Sequence, residues 1–369
     1  MATRVLVVDD SALMRKHIRK MLEDKGYDVV TARNGEEGLE KVASFEPTVV
    51  TLDINMPVMD GITCLSLIME QNPCPVIMVS SLTEKGALST FEALELGAVD
   101  YVAKPGGTVS LNINDVANEI LAKVKAASRA RIGKARGLRS RMRARREQAE
   151  VKHQTKPFRT SSRVATKSRT ATKTVSSDGL VMIGVSTGGP STVEDIICSL
   201  PANFPLPILI AQHMPARFTG VFAERLNKIA ALDVIEINGP MDIQAGQVLI
   251  ARGDADVKVI QRAGRYKVST IPSDNSYLWH PSVERMGLSV KDLYDPKSVI
   301  CVQLTGMGND GAAVMAELHE LGAKTIAESE ETAVVYGMPR ELVERGGADL
   351  ILPNDKIADQ LIEWTMGAR

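Results

Sequence analysis

The chain has 369 residues, of which 44% are hydrophobic and 24% charged, and its formal net charge is −1. This length and composition are typical of a soluble protein with two domains, and no apolar run reaches the ~18 residues that a membrane span needs. The N-terminus lacks the basic, apolar and cleavage segments of a signal peptide. The four cysteines form no Cys-x-x-Cys pair and no Cys/His cluster with zinc spacing, so we expect a cytoplasmic protein with reduced thiols.

Short β-branched runs alternate with amphipathic helical runs over residues 1–122. Helices are predicted at Ala12–Lys25 and Glu36–Ser44, for example, because apolar residues recur there at helical spacing. Five strand–helix units of this kind predict a first domain in which helices cover both faces of a parallel sheet. The five strands are predicted at Arg4–Val8, Asp28–Thr31, Thr48–Leu52, Pro75–Val79 and Val99–Val102.

Polar residues stand where four of these strands end. Asp9 and Asp10 follow the first strand and Asp53 the third, while Ser80 and Lys104 end the fourth and fifth. Because parallel sheets collect their chemistry at the carboxyl ends of the strands, we expect these side chains to meet. Clustered carboxylates repel one another and favour a cation, and oxygen ligands without sulfur or imidazole favour Mg²⁺. Such a metal would offset the charge of a phosphoryl group arriving at Asp53.

Residues ~3–125 resemble the receiver domain of two-component response regulators, through the sequences VLVVDDS, LDINMPVMDG and AKPGG. The resemblance implies a flavodoxin-like domain with a five-stranded parallel sheet, in which Asp53 is the phosphoacceptor. It also implies that Mg²⁺, the cofactor of receiver phosphorylation, is held by Asp9, Asp10, Asp53 and the Asn55 carbonyl.

The same resemblance implies a phosphorylation switch. Ser80 and Lys104 occupy the positions that contact the phosphoryl group, and Tyr101 occupies that of the switch aromatic. A histidine kinase or acetyl phosphate is the expected donor, and Ser80 is expected to move when phosphate arrives. The bond before Pro105 is a candidate cis peptide, as in the family, since X–Pro bonds adopt cis at modest cost.

A basic segment follows the first domain. Residues 123–174 contain 18 lysines or arginines and two acids, so this segment carries about +16 while the rest of the chain carries about −17. From residue 151 onward Thr, Ser and Lys dominate, which is typical of disorder. We predict a basic, partly disordered linker over residues 123–177, either solvated or in contact with acidic surfaces. No nucleic-acid partner is expected, because aromatics do not interleave the charges and no helix-turn-helix pattern is present.

Residues 178–369 alternate strands and helices again, which predicts a second, doubly wound α/β domain. Helices are predicted at Val193–Leu200, Phe218–Ala230, Ala312–Leu321 and Asp355–Thr365. Strands are predicted at Leu180–Val185, Leu206–Gln212, Gln247–Ile250, Val299–Thr305 and Ala348–Leu352.

The first strand of this domain runs into the sequence GVSTGGP at residues 184–190. This matches the G-x-S-x-G spacing of a sharp turn from strand to helix, in which glycines leave the serine hydroxyl exposed. Backbone amides at the start of the next helix could stabilise an oxyanion. Ser186 is therefore a candidate nucleophile, with a phosphate-binding turn or a simple loop as the alternatives.

A serine nucleophile needs a base. His213 ends the apolar strand PLPILIAQH, which places it beside Ser186, whereas His280 lies in an irregular segment. Asp310 follows the apolar strand VICVQLT and would orient His213, which gives the Ser–His–Asp arrangement of acyl transfer.

Two alternatives stay open at this point. An α/β-hydrolase arrangement would pair Ser186 with His280 and take Asp254 or Asp256 as the acid. Asp310, in turn, could be only the N-cap of the helix that follows it.

The sequences GVSTGGP, QHMPARFT, HPSVE and LTGMGNDGA resemble the catalytic domain of the CheB family of chemotaxis protein-glutamate methylesterases. Together with the receiver, the resemblance covers the chain apart from the linker. It implies Ser186 as the nucleophile, His213 as the base and Asp310 as its orienting partner. The Met307 backbone amide would bind the oxyanion, and Thr187 would line the site.

The resemblance also implies an activity and its partners. A phosphorylated receiver would release a serine esterase that hydrolyses glutamate γ-methyl esters of chemotaxis receptors to methanol, and that deamidates receptor glutamines. Methyl-accepting chemotaxis receptors are the expected substrates and a chemotaxis histidine kinase the expected phosphodonor, with no cofactor for the ester hydrolysis itself. The rival functions are a phosphorylation-dependent adaptor with a silent esterase site and a DNA-binding regulator that uses the linker.

Overall fold

The computed structural model describes residues 3–81, 83–104, 113–130 and 179–367. Most of the predicted linker and the predicted cis bond at Pro105 lie outside these residues. None of the helices within the described ranges combines the length and the hydrophobicity that crossing a bilayer requires.

A five-stranded sheet forms the centre of the N-terminal domain. Its strands are β1 (Arg4–Val8), β2 (Asp28–Ala32), β3 (Val49–Asp53), β4 (Val76–Ser81) and β5 (Asp100–Lys104). All are parallel, in the order β2-β1-β3-β4-β5, which confirms the predicted flavodoxin-like sheet. Because side chains alternate between the two faces of a strand, Val5 and Val7 pack into one helical layer and Leu6 and Val8 into the other.

Helices cover both faces of this sheet. Four begin at a side chain that accepts a hydrogen bond from a first-turn amide, namely Ser11, Asn34, Asp60 and Thr83. Such caps satisfy donors that the helix leaves unpaired. The helices are α1 (Ala12–Glu23), α2 (Gly35–Phe45), α3 (Gly61–Gln71), α4 (Glu84–Glu95) and α5 (Ile113–Ala127).

A seven-stranded parallel sheet forms the centre of the C-terminal domain. Its strands are β6 (Leu180–Val185), β7 (Ile208–Gln212), β8 (Asp233–Ile237), β10 (Gln247–Ala251), β13 (Val299–Gln303), β14 (Lys324–Glu328) and β15 (Leu350–Leu352). They lie in the order β15-β14-β13-β6-β7-β10-β8. Strands β7, β8 and β10 lie on one side of β6, and strands β13, β14 and β15 lie on its other side. The direction in which strands are added to the sheet therefore reverses between β6 and β13. Ligand sites of open α/β sheets lie at such reversals.

The remaining elements of this domain surround the sheet. A small antiparallel sheet contains β9 (Met241–Asp242), β11 (Ala255–Arg262) and β12 (Arg265–Pro272). The helices are α6 (Gly189–Ser199), α7 (Ala216–Ile229), α8 (Val283–Lys291), α9 (Ala312–Glu320), α10 (Met338–Glu344) and α11 (Asn354–Met366).

Several of these elements were missing from the prediction, although the fold class is confirmed. Strand β8 (DVIEI) and strand β14 (KTIAE) contain charged residues where a buried strand would be uniformly apolar. The acids are accommodated by partners distant in sequence: Glu236, for example, accepts a hydrogen bond from Thr219 on α7. The antiparallel sheet and helices α8 and α10 were also not predicted.

Aromatic rings join the two domains. The Tyr101 ring on β5 stacks on Phe218 of α7, with centroids 4.6 Å apart and planes at 20°. The Phe91 ring on α4 stacks on Phe222 of the same helix at 5.6 Å and 11°. All four side chains are buried, and ring pairs of this kind contribute about 0.5–1.5 kcal/mol beyond their buried area.

One arginine also links the domains. Arg225 on α7 forms an ion pair with Glu95 of α4, and its Nε lies 3.1 Å from Oε2 of Glu194 on α6. The forked guanidinium has five donors, so it can serve both carboxylates together. The same α4 surface that carries Phe91 is thereby held against the C-terminal domain.

Candidate functional site

The carboxyl ends of β1 and β3 bring three carboxylates together. Oxygens of Asp9, Asp10 and Asp53 all lie within 4.8 Å of one another. Asp9 and Asp53 are buried, whereas Asp10 is exposed. Asn55 follows two residues after Asp53, and its backbone amide donates to Asp53 Oδ1 at 3.4 Å. A set of oxygen ligands without sulfur or imidazole fits Mg²⁺.

Lys104 faces this cluster. Its Nζ lies 2.7 Å from Asp53 Oδ2 and 3.0 Å from Asp9 Oδ2. Burial raises the pKa of Asp53 to about 6, against the opposing effect of the Lys104 charge. Burial by itself would lower the pKa of Lys104, but the neighbouring carboxylates of Asp53 and Asp9 together hold it above its usual value. The structure therefore brings Asp9, Asp53 and Lys104 into direct contact.

Ser80 lies on β4 and Tyr101 on β5, the two strands that follow β3 in the sheet. Ser80 is buried, and its hydroxyl donates to the Gly86 carbonyl of α4 at 3.1 Å. Burial raises the pKa of Tyr101 well above its usual value, and its ring stacks on Phe218 as described. Both predicted switch residues thus contact or belong to elements at the domain interface.

The turn after β6 presents Ser186. Its carbonyl accepts from the Gly189 amide at 2.8 Å and from Gln212 Nε2 at 3.0 Å. Gly188 has φ +78°, and a Cβ there would lie 2.6 Å from the Val334 side chain. The turn therefore requires glycine at 188 for both backbone conformation and space, and it leaves Ser186 half-buried.

His213 lies on the adjacent strand end. Strands β6 and β7 pair in register up to Val185 and Gln212, and the His213 amide donates to the Val185 carbonyl at 3.1 Å. The next residue on β6 is Ser186, so the backbone places the serine and the histidine side by side. No hydrogen bond joins the Ser186 hydroxyl to either candidate histidine among the described residues; catalytic hydrogen bonds are often long before substrate binds.

Asp310 orients the imidazole of His213. Its Oδ2 lies 2.8 Å from His213 Nε2, and both side chains are more than 90% buried. A carboxylate only accepts, so Nε2 carries the proton and Nδ1 is left as the accepting nitrogen. His213 Nδ1 is buried without a partner in the described part of the chain.

The Asp310 carboxylate also binds the N-terminus of α8. It accepts from the amides of Val283 (2.7 Å) and Glu284 (2.9 Å) and from the Ser282 hydroxyl (3.0 Å). Burial alone would raise the pKa of Asp310, but the His213 hydrogen bond and these amides hold it below its usual value. Asp310 does not cap the helix that follows it, because α9 has Gly311 as its N-cap with no side-chain bond.

The alternative pair, His280 and Asp256, also exists. His280 Nδ1 lies 3.0 Å from Asp256 Oδ1, and Asp256 is fully buried. Asp254 instead accepts from the Ala216 amide at the start of α7. The parallel register of β6 and β7 places His213 beside Ser186, whereas His280 is bound to Asp256 in the segment between β12 and α8.

Two backbone amides near Ser186 are available to bind an oxyanion. The Gly306 amide already donates to the Val335 carbonyl at 3.0 Å, whereas those of Met307 and Thr187 donate to no group in the described residues. A Cβ on Gly306 would lie 2.7 Å from the Ser186 Cβ, so the 306–307 backbone packs against the serine. The predicted Met307 and Thr187 positions are compatible with an oxyanion site.

Comparison with known proteins identifies the family of this chain. Residues 181–361 match the CheB methylesterase family model, and residues 5–113 match the response regulator receiver domain model. A protein-glutamate methylesterase/protein-glutamine glutaminase of Rhodospirillum rubrum is 51% identical over 98% of this chain and 96% of its own length. This chain belongs to the CheB methylesterase family. A similarly named protein of Rhodopseudomonas palustris is 47% identical over 98% of each chain.

A solved structure also resembles part of this chain. The catalytic domain of Thermotoga maritima CheB methylesterase is 39% identical, and the match covers 50% of this chain and 98% of that one, with a TM-score of 0.49.

The VVYGMPR segment, which sequence reasoning left without a role, supports the turn at Ser186. Besides the contact of Val334 with Gly188, the amides of Gly337 (3.1 Å) and Met338 (2.8 Å) donate to the Gly306 carbonyl. A cavity of about 490 Å³ separates this segment and Met307 from helix α5 of the receiver.

Glu328 was also missed by sequence reasoning, because its strand β14 was not predicted. It is fully buried and accepts from the Thr305 amide (2.8 Å) and the Thr332 hydroxyl (2.9 Å). The Thr305 carbonyl in turn accepts from the Ser186 amide at 2.9 Å. Burial raises the pKa of Glu328 to about 7, against the opposing effect of its two hydrogen bonds.

We expect Glu328→Gln to gain stability over wild type as the pH rises. The pKa of this acid is about 7 in the fold and about 4.3 when unfolded, so its favourable contribution is complete below about 4.3 and is lost as the pH rises through about 7. The free energies of unfolding in urea are measured for wild type and Glu328→Gln at about pH 5 and about pH 8. The difference between the two proteins should change by up to about 3 kcal/mol between these pH values, since one pKa unit is worth about 1.4 kcal/mol. The exposed neighbour Glu331→Gln is the control, and a pH-independent difference for Glu328→Gln would contradict the prediction.

Proposed function

We propose that this chain is a phosphorylation-activated serine esterase that hydrolyses glutamate γ-methyl esters on chemotaxis receptors, and that it deamidates receptor glutamines. The observation that carries the proposal is the contact of His213 Nε2 with Asp310 at the strand end next to Ser186. Family membership supports the same chemistry. The presence of all three side chains argues against an adaptor with a silent site.

The first half of the reaction forms an acyl-enzyme. His213 Nδ1 takes the proton from the Ser186 hydroxyl as Oγ attacks the ester carbonyl carbon. The amides of Met307 and Thr187 stabilise the negative charge that develops on the carbonyl oxygen. The tetrahedral intermediate then expels the methoxy group, which takes the proton from the imidazolium and leaves as methanol.

The second half restores the enzyme. His213 takes a proton from water, whose oxygen attacks the acyl carbon, and Ser186 leaves with that proton to regenerate its hydroxyl. The product is the free glutamate carboxylate. With a glutamine side chain the same steps expel ammonia, and no cofactor enters either reaction.

The receiver would accept a phosphoryl group on Asp53. An oxygen of Asp53 displaces the donor's leaving group at phosphorus, and Lys104 pairs with the transferred charge. Asp9, Asp10, Asp53 and the Asn55 carbonyl would hold Mg²⁺, which supplies positive charge beside the incoming phosphoryl group when bound. The phosphodonor would be a chemotaxis histidine kinase or acetyl phosphate.

Regulation would pass through the domain interface. The Ser80 hydroxyl bonds to Gly86 in the first turn of α4, and α4 carries Phe91 and Glu95, which contact α7. A Ser80 hydroxyl that turns toward the phosphoryl group releases this bond, and α4 loses one of its fixed points. Release of α4 from the C-terminal domain would then let the receiver move away and open the Ser186 site.

We assign residues 1–122 to the receiver, 123–177 to the basic linker and 178–369 to the esterase domain. The two family models, which cover 5–113 and 181–361, support this division. Methyl-accepting receptors are the proposed substrates, without a nucleic-acid partner, and the cytoplasm is the proposed compartment.

Methanol release from methylated receptor membranes tests the function directly. Wild-type protein should release methanol, and more of it with acetyl phosphate and Mg²⁺. Ser186→Ala should lower the rate at least ~10³-fold, because loss of a triad nucleophile removes the covalent step. Circular dichroism checks that the variant is folded. Residual activity within tenfold of wild type would exclude Ser186 as the nucleophile.

Replacing the two histidines separates the alternative bases. His213→Ala should lower the rate at least ~10³-fold, whereas His280→Ala should cost less than ~10-fold, because only the former removes the proton acceptor. Initial rates on receptor membranes decide the ranking. The reverse order would favour the His280–Asp256 pair.

Asp53→Asn should abolish stimulation by acetyl phosphate and leave the basal rate, because the amide cannot accept the phosphoryl group. Asp60→Asn is the matched control: Asp60 is exposed and caps α3, and Asn caps equally well. The rate with and without phosphodonor is measured for both. Stimulation of Asp53→Asn equal to that of Asp60→Asn would place the phosphoacceptor elsewhere.

A further inference from the structure

One aromatic side chain outside the triad contacts the candidate base. The Trp279 indole lies flat against the His213 imidazole, with centroids 5.2 Å apart and planes at 10°. Trp279 is half-buried, and its Nε1 lies 3.5 Å from the point where a Cβ on Gly308 would stand. The indole therefore touches the base and borders the loop that carries Met307.

A buried carboxylate anchors the segment that carries Trp279. Asp256 is fully buried and accepts from His280 (3.0 Å), from the Ser282 amide (2.8 Å) and from Arg285 Nη1 (2.7 Å). Arg285 also donates to the Pro272 carbonyl at 2.7 Å. The segment between β12 and α8 is thus bonded to Asp256 at its α8 end and, through Arg285, to Pro272 at its β12 end. His280, directly after Trp279, is one of the groups that bond to Asp256.

The His213 ring needs a constraint that Asp310 does not supply. A single hydrogen bond at Nε2 fixes one atom but leaves the ring free to tilt about the bond. Tilting would move Nδ1 away from Ser186 and admit water to it. A flat aromatic surface on one face of the ring opposes both changes, and the His213 side chain is only 6% exposed.

We propose that Trp279 is a positioning residue for His213. Its indole face holds the imidazole in the plane set by Asp310 and keeps water off Nδ1, while the Asp256 anchor holds the indole in place. The role rests on the proposed esterase function. It assigns a task to the otherwise unexplained His280–Asp256–Arg285 cluster, which acts through Trp279 and not as a second triad.

Kinetics on receptor membranes give the first test. Trp279→Ala should lower kcat about 10–100-fold with KM changed less than about twofold, because a base misplaced by about 1 Å loses rate on this scale. Trp279→Phe keeps a flat ring and should stay within about threefold of wild type. The matched control is Trp364→Ala, at the other tryptophan on α11, which should keep the wild-type kcat. A kcat for Trp279→Ala within twofold of wild type, or an equal loss for Trp279→Phe, would overturn the proposal.

Fluorescence tests the stacking without any esterase activity. In a Trp364→Phe background Trp279 is the sole tryptophan, so its emission reports on the surroundings of the indole. Adding His213→Ala removes the stacked ring and opens one face of the indole to solvent, so quenching of the emission by acrylamide should increase. His319→Ala is the control, because His319 lies on α9 and bonds to Thr325, and it should leave the quenching unchanged. Equal quenching before and after His213→Ala would show that the indole does not pack on the base.

Discussion

The Asp310 carboxylate is the interaction on which the catalytic half of the molecule depends. One buried group accepts from His213, from the Ser282 hydroxyl and from two amides at the start of α8. Its charge is stabilised by these donors and by the positive end of the helix. The proposed base His213, the start of α8 and the loop after β13 are therefore joined at one carboxylate.

The proposed triad can be predicted from the sequence because parallel strands end at the same edge of a sheet, so residues that follow neighbouring strands lie close together. Ser186, His213 and Asp310 follow the ends of β6, β7 and β13, which are neighbours in the sheet, and apolar runs mark those ends clearly. The same rule places Asp9, Asp53 and Lys104 together. It does not say which nitrogen of His213 meets Asp310, because that depends on the path of the loop after β13.

Other parts of the site leave no local signal. Glu328 looks like a solvated strand end until its partners Thr305 and Thr332 are known, and Trp279 looks like an exposed loop residue until its ring is seen on His213. In the sequence, Phe91 and Tyr101 resemble ordinary core residues of the N-terminal domain, and Phe218 and Phe222 resemble ordinary core residues of the C-terminal domain. In all these cases the partner is distant in sequence and belongs to a different element, so no periodicity records the contact.

Arg225 has a consequence for how easily the two domains separate. Breaking a buried ion pair is costly when one charge is left behind without a partner. Glu194, however, belongs to the same domain as Arg225 and stays with it, while Glu95 departs on α4 and is hydrated. When the domains separate, Arg225 therefore goes from two carboxylate partners to one, Glu194. An arrangement of this kind orients the two domains without making their contact irreversible, which suits the proposed release of the receiver.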